Sequence, residues 1–328
     1  MAHAITQRAN GFAEIAYVGE KPWHGLGQEL EAGAPIERWL AAAGMDWSVQ
    51  RSKVRYATGR DGAAVAEWPD YHVLMRSDTK VPLGMVSDGF KVVQPRDVLE
   101  FFRDLVEAAG FRLITAGTLH GGRKFWAQAD IRAEDRIVGN DLVKGRLMLA
   151  TACDGTMHSI AKDVAERVVC ANTMRIALGE SGSSEVRVSH RSTFDAAAVK
   201  KQLGVAVTSF EHFVTDARKL AARRVTGVEA NIFAAATVGY DETEIRDGKY
   251  ADDKAFRKIM TLFQGEGRGA NLPGTRGTAW GLVNAVTEYV DHHARARTDS
   301  NRIDSAWFGR GDDMKGNAME RALVLVDA

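Results

Sequence analysis

The sequence predicts an α+β fold: an antiparallel, hairpin-rich sheet with helices inserted singly, followed by a helical C-terminal half. Three observations carry this. From Trp47 onward side chains alternate at period two, with Trp47, Val49 and Arg51 set against Ser48 and Gln50, the spacing of strands. Turn signals (Asp61-Gly62, His120-Gly121-Gly122-Arg123 and Asp154-Gly155) fall between apolar runs, so hairpins rather than regular βαβ crossovers join the strands. Beyond Gly179 the apolar period becomes three and four, the helical spacing.

Residues 1–34 carry little periodicity and read as an N-terminal arm with a Gly-punctuated loop, Lys21 to Gly27. A sheet domain spans 35–179. Pro35 opens a short helix to Ala43, with Ile36, Trp39, Leu40 and Ala43 on one face and Gly44 as its stop. Strands follow through Met75, from Leu83 to Val86 and from Phe90 to Val93. Pro95 to Ala109 is a helix whose Val98, Leu99, Phe102, Leu105, Val106 and Ala109 form one apolar face. Two strands, Phe111 to Leu119 and Lys124 to Ile131, precede the stretch Lys144 to Gly179. That stretch reads as a hairpin feeding a short helix, with Asn172-Thr173 as the helix cap.

Glu180-Ser181-Gly182-Ser183-Ser184 has the composition of a flexible link. A mainly helical region, 186–328, is expected to pack on the sheet. Its helices run from Thr193 to Arg224, Glu229 to Val238, Asp252 to Phe263, Thr278 to about His293 and about Met314 to Val326. A Gly-rich loop, Gln264 to Gly277, and a polar loop, Ala294 to Asp313, separate the last of them.

Composition narrows the class. The chain has 328 residues, 45% of them hydrophobic, with 43 Lys+Arg against 43 Asp+Glu. It can bury a substantial core, and its zero formal charge excludes a wholly basic nucleic-acid coat but not a basic face. Two cysteines, Cys153 and Cys170, make neither a disulfide framework nor a Cys-rich zinc site. They read as packed thiols. Neither a signal peptide nor a bilayer-length apolar run is apparent, so the expected location is the cytoplasm.

Three features bear on chemistry. The loop from Gln264 to Gly277 leads into a helix N-terminus, where glycines and the helix dipole suit an anion. Arg268 and Arg276 would clamp a phosphate there, unless the loop is a mobile surface segment. Arg187 to Arg224 is locally basic; Arg187, Arg191, Lys200 and Lys201 would follow a nucleic-acid backbone, or the cations form a solvated helix face. Asn284, Glu288 and His292 recur at four and share a helix face. Glu288 and His292 would contribute to a metal site or simply pair. No catalytic set is named and no cofactor is expected.

Several motifs together resemble the phage/plasmid-like protein family, the domain of unknown function 932. They are Gly84-Met85-Val86-Ser87-Asp88-Gly89-Phe90-Lys91-Val92-Val93-Gln94, Cys153-Asp154-Gly155-Thr156, Arg167-Val168-Val169-Cys170-Ala171-Asn172-Thr173, the run from Gly277 to His292, and Trp307-Phe308-Gly309 with Lys315. Phe90 stands where that family often has Tyr. The resemblance implies a product of a phage, plasmid or integrated element, hence DNA replication, recombination or repair. The hairpin-rich sheet is similar to the core of Rad52-like annealing proteins. The expected function is therefore single-stranded DNA binding or annealing by a homo-oligomer, without membrane association. A metal-assisted hydrolase, or an accessory protein that binds another protein through the Trp23 loop, is the alternative.

Overall fold

The computed structural model describes residues 5–8, 10–19, 25–62, 64–167, 172–175, 185–190, 206–296 and 299–327. The α+β architecture is as the periodicities require. Eleven described strands form two sheets. They are β1 (Ile15–Val18), β2 (Gln28–Leu30), β3 (Val49–Thr58), β4 (Ala64–Arg76), β5 (Pro82–Ser87), β6 (Arg112–Leu119), β7 (Lys124–Arg136), β8 (Leu142–Ala152), β9 (Ser159–Arg167), β10 (Asn172–Arg175) and β11 (Glu185–Val188).

The large sheet has the order β10-β9-β8-β7-β6-β1-β2. Its centre is an antiparallel meander from β6 to β9. The β1–β2 pair is parallel. β10 and β11 share one edge of β9: Asn172 sits opposite Arg167, and Arg187 opposite Ile160. The small sheet, β3-β4-β5, is antiparallel.

Nine helices are described: α1 (Ile36–Ala42), α2 (Pro95–Ala109), α3 (Ala206–Ala222), α4 (Gly227–Val238), α5 (Glu242–Arg246), α6 (Lys254–Thr261), α7 (Ala279–Glu288), α8 (Asp299–Phe308) and α9 (Arg310–Asp327). π-helical turns extend α6 over Leu262–Glu266 and α7 over Tyr289–His293. Local chemistry sets several starts. Thr226 and Glu229 form a capping box on α4, Asp253 caps α6 and Thr278 caps α7.

The central strands are buried on both faces, so β7 to β9 show long buried runs rather than alternation. One face carries Phe125, Ala127, Leu147, Leu149, Ala161 and Ala165 into the main core with α2, α3 and α7. The other face carries Trp126 and Ala150 against Ile5, Ala13 and Ile303, and Trp126 meets Trp307 of α8 edge-on at 4.8 Å. No described helix is long and apolar enough to cross a membrane.

Within the N-terminal arm, where little periodicity shows, residues 15–18 and 28–30 are strands on the large sheet; β1 is only four residues, too short for a period to register. Three expectations about elements need correction. Phe90 to Val93 is not a strand. Lys91 donates its amide to the His190 carbonyl, and Phe90 stacks on the His190 ring at 4.3 Å. Asn172 and Thr173 do not cap a helix. They open β10, where the free edge of β9 supplies ladder bonds that a local helix would have had to replace. Much of the polar loop from Ala294 to Asp313 is helical, because Ile303, Ala306 and Trp307 bury one side of α8.

Candidate functional site

The Gly/Arg loop is a built structure, anchored by a buried ion pair at one end of the sheet. Arg167, the last residue of β9, and Asp141, just before β8, are both 0% exposed. Arg167 Nε donates to Asp141 Oδ1 at 2.6 Å and Nη2 to Oδ2 at 3.0 Å. This bidentate fork suits burial because it meets both carboxylate oxygens. Trp280 Nε1 donates to the same carboxylate at 2.9 Å. The guanidinium also reaches the loop, donating to the carbonyls of Arg268 (3.3 Å) and Gly269 (3.4 Å). Thr275 Oγ1 donates to the Gly269 and Leu272 carbonyls, and Thr278 Oγ1 to those of Gly274 and Thr275. A Cβ at Gly281 would run into the Thr275 carbonyl, so glycine is required where the loop folds back on α7.

This geometry corrects the anion site expected at the start of α7. All ten residues of that helix are buried. The Ala279 amide donates to the Arg223 carbonyl and the Gly281 amide to Thr278 Oγ1. The amides of Ala279, Gly281 and Leu282, three of the first-turn groups that would bind an anion, already have partners. What remains available is the pair of exposed side chains, Arg268 and Arg276.

The Glu288–His292 pairing also needs correction. The π turn after Glu288 adds one residue to the helical repeat, and the Ala294 amide donates to the Tyr289 carbonyl five residues back. His293 rather than His292 therefore approaches Glu288, with Nε2 3.8 Å from Oε1. Burial and the nearby Lys258 push the His293 pKa down, against the pull of Glu288. Glu288 is 4% exposed and its Oε2 accepts the Arg268 amide at 2.8 Å. One turn earlier, Asn284 is 6% exposed. It donates Nδ2 to the Trp280 carbonyl at 2.7 Å, while Oδ1 has no hydrogen-bond partner. Both residues line a crevice shared with Phe263, Gly267, Arg268 and Thr275, with room for about one water molecule. Among the described residues no cluster of three or more His, Cys, Asp or Glu side chains suits a metal ion.

Of the described cations in the basic segment, Arg224 reaches this loop and Arg187 does not. Arg187 lies opposite Ile160, and Arg167, which contacts the loop, is seven residues further along β9, about 23 Å at the strand rise. Arg191, Lys200 and Lys201 lie outside the described residues, as do Cys170 and the Trp23 loop. The described cations of α3 and its exit contact this chain. Arg218 pairs with Asp135 at 2.7 Å, Lys219 with Asp216 at 2.8 Å and Arg223 with Glu229 at 2.6 Å, while Arg224 donates to the Arg276 carbonyl. Cys153 is buried, which raises its pKa well above the ordinary thiol range. It is packing, not a nucleophile.

At the opposite end of β8 and β9 the structure presents a surface the sequence did not single out. Most of β3 and the distal half of β4 are exposed. Val54 lies opposite Trp68 and Tyr56 opposite Ala66, which puts Tyr56 and Trp68 on one face of this ribbon. Tyr56 is 50% and Trp68 43% exposed, and Tyr71 packs against Trp68 at 4.5 Å. On the other face Lys53 and Arg55 both bond to Glu67, at 2.7 and 3.1 Å. Arg60 sits at the exposed tip. The available signal was the alternation of Lys53 and Arg55 with Val54 and Tyr56, the mark of a strand with one polar, solvated face; that the apolar face is uncovered too is not written in the sequence.

A profile of the domain of unknown function DUF932 matches residues 82–307. The chain belongs to the DUF932 family. No match was found among curated proteins or among solved structures. The matched region begins at β5 and includes both anchoring points of the fold. Near its start Gly84 sits against the β8–β9 turn, where an added Cβ would come within 2.6 Å of Asp154 Cα. The His190 ring lies 3.1 Å from both the Lys91 and Met157 carbonyls and ties the same turn down. The match also spans the Arg167–Asp141–Trp280 node, and near its end lies the Asn284–Glu288 crevice. The aromatic ribbon of β3 and β4 lies outside the match.

Proposed function

We propose that this protein binds single-stranded nucleic acid, DNA in particular, as the resemblance to phage and plasmid products also suggests. The observation that carries the reading is the exposed pair Tyr56 and Trp68 on one face of the β3–β4 ribbon, with Tyr71 behind Trp68. Unpaired bases present flat π faces, and an exposed ring stacks on any of them without selecting sequence. Lys53, Arg55 and Arg60 lie on the same ribbon and supply positive charge for the backbone, reduced by Glu67. The exposed side chains of Arg187, Arg268 and Arg276 offer further phosphate contacts to a longer strand, with Arg191, Lys200 and Lys201 as additional candidates. Annealing of two strands by an oligomer is the finer form of this reading.

The test is a fluorescence-anisotropy titration of labelled oligo-dT at several salt concentrations. Wild-type protein should bind, and affinity should fall as salt rises. Trp68→Ala and Tyr56→Ala should each lose about 1–3 kcal/mol per stacked base. Binding that is indifferent to salt and to both substitutions would sink the reading.

A further inference from the structure

Among the described residues the buried carboxylates follow a rule with one informative exception. Glu14 pairs with Arg76, Asp130 with Arg146 and Asp141 with Arg167. Asp291 pairs with Lys315 and Asp312 with Lys162. A buried carboxylate needs such a cation, a proton or a metal to offset lost hydration. Asp163 takes the proton: it faces Ser209, and burial lifts its pKa to about 7. Among the described residues no Lys or Arg side chain pairs with Glu288. Its neighbours are the Arg268 amide and the imidazole of His293.

We infer that the crevice between the Gly/Arg loop and α7 is a site for a hard divalent cation of the Mg2+ class, held by Asn284 Oδ1 and Glu288. The amide of Asn284 cannot be turned to escape its unpartnered oxygen, because Nδ2 is committed to the Trp280 carbonyl. Its oxygen and the Glu288 carboxylate lie one helical turn apart, so both reach the same small space. Two oxygen donors select Mg2+ or Mn2+ over thiophilic metals. They do not make a complete cage; the crevice itself holds about one water, so the ion's other ligands, waters and one or more phosphate oxygens, would lie at its mouth beside Arg268. Arg268, exposed at the same crevice, would meet that phosphate. This last step rests on the nucleic-acid reading above; the cation site itself does not.

The experiment is a Mn2+ titration of the full chain followed by electron paramagnetic resonance of the free ion, with Mg2+ as competitor. One Mn2+ per chain is expected, displaced by Mg2+. Glu288→Gln and Asn284→Ala should each weaken it by about tenfold or more, at least the loss typical of outer-shell partners. Asn284→Asp adds a second carboxylate and should tighten it, which keeps the test decisive if a removal variant melts early. Absence of stoichiometric Mn2+, leaving only a bound water, or affinity unchanged in Asn284→Asp overturns the inference. Oligo-dT binding with and without EDTA separates the two ideas. Binding that persists in EDTA and falls in Trp68→Ala, with no Mn2+ site, removes only the cation. A Mn2+ site without oligonucleotide binding removes only the nucleic-acid reading.

Discussion

Asp163 and Arg167 stand four residues apart on β9 and behave oppositely. Asp163 Oδ1 has no hydrogen-bond partner, and the carboxyl titrates at about 7 in the folded chain against about 3.9 when unfolded. The folded state therefore holds an extra proton between these values. Stability falls as pH rises from about 4 to about 7 and levels off above. Asp163→Asn should abolish that slope and raise stability at pH 8 by about 1 kcal/mol or more, with little gain at pH 4. Thermal melts at the two pH values check it, and an equal gain at both would exclude this origin. Arg167 instead neutralises Asp141 with a fork. Arg167→Met should cost about 3–5 kcal/mol, because it strands a buried carboxylate. Urea denaturation measures the loss, and Asp141→Leu added to Arg167→Met should recover part of it.

At the scale of elements, the ribbon and the loop before α7 make contrasting demands. The ribbon buries little, so Trp68→Ala should leave the urea midpoint within about 0.5 kcal/mol of wild type while weakening oligonucleotide binding. A large stability loss would mean that Trp68 is packing. The loop tolerates nothing at Gly281. Gly281→Ala forces the Thr275 carbonyl away from α7 and should cost about 1–3 kcal/mol, read from the same denaturation curves. α2 was legible because its core-facing Val98, Leu99 and Phe102 recur at helical spacing. α8 was not, because Ile303, Ala306 and Trp307 keep helical spacing over only one turn, within a stretch of Asp, Ser, Asn and Arg. Its helicity depends on the partner surface around Trp126.

Across the whole molecule, buried and half-buried ion pairs help hold α8 and α9 to the sheet. Lys124 reaches Asp304 at 2.5 Å and Lys162 reaches Asp312 at 2.9 Å. Ending the chain before α8 would uncover Trp126 and take Asp312 and the Trp307 carbonyl away from Lys162. Such a truncation should bind a hydrophobic dye and lose its cooperative near-ultraviolet melt; retention of a sharp melt would show that the sheet folds independently. Of the basic residues the sequence pointed to, Arg268 and Arg276 share a loop, whereas Arg187 is about 23 Å away along β9. A strand that touches both must run across the molecule, so affinity should grow with oligonucleotide length.

The sequence by itself determined the α+β class, the main hairpins, the strongly periodic helices and the family. All of these rest on local periodicity, turn chemistry and short motifs, which act over a few residues. Tertiary structure alone decided which charges are available. Arg167, Arg218 and Arg224 are equally basic on paper, yet their guanidinium groups bond within the fold. Tyr56 and Trp68 sit in strand patterns that do not tell an exposed ring from a buried one, and both are exposed. One extra residue in a π turn was enough to replace His292 by His293 beside Glu288. Burial and pairing depend on contacts between segments far apart in the chain, and no local pattern encodes them.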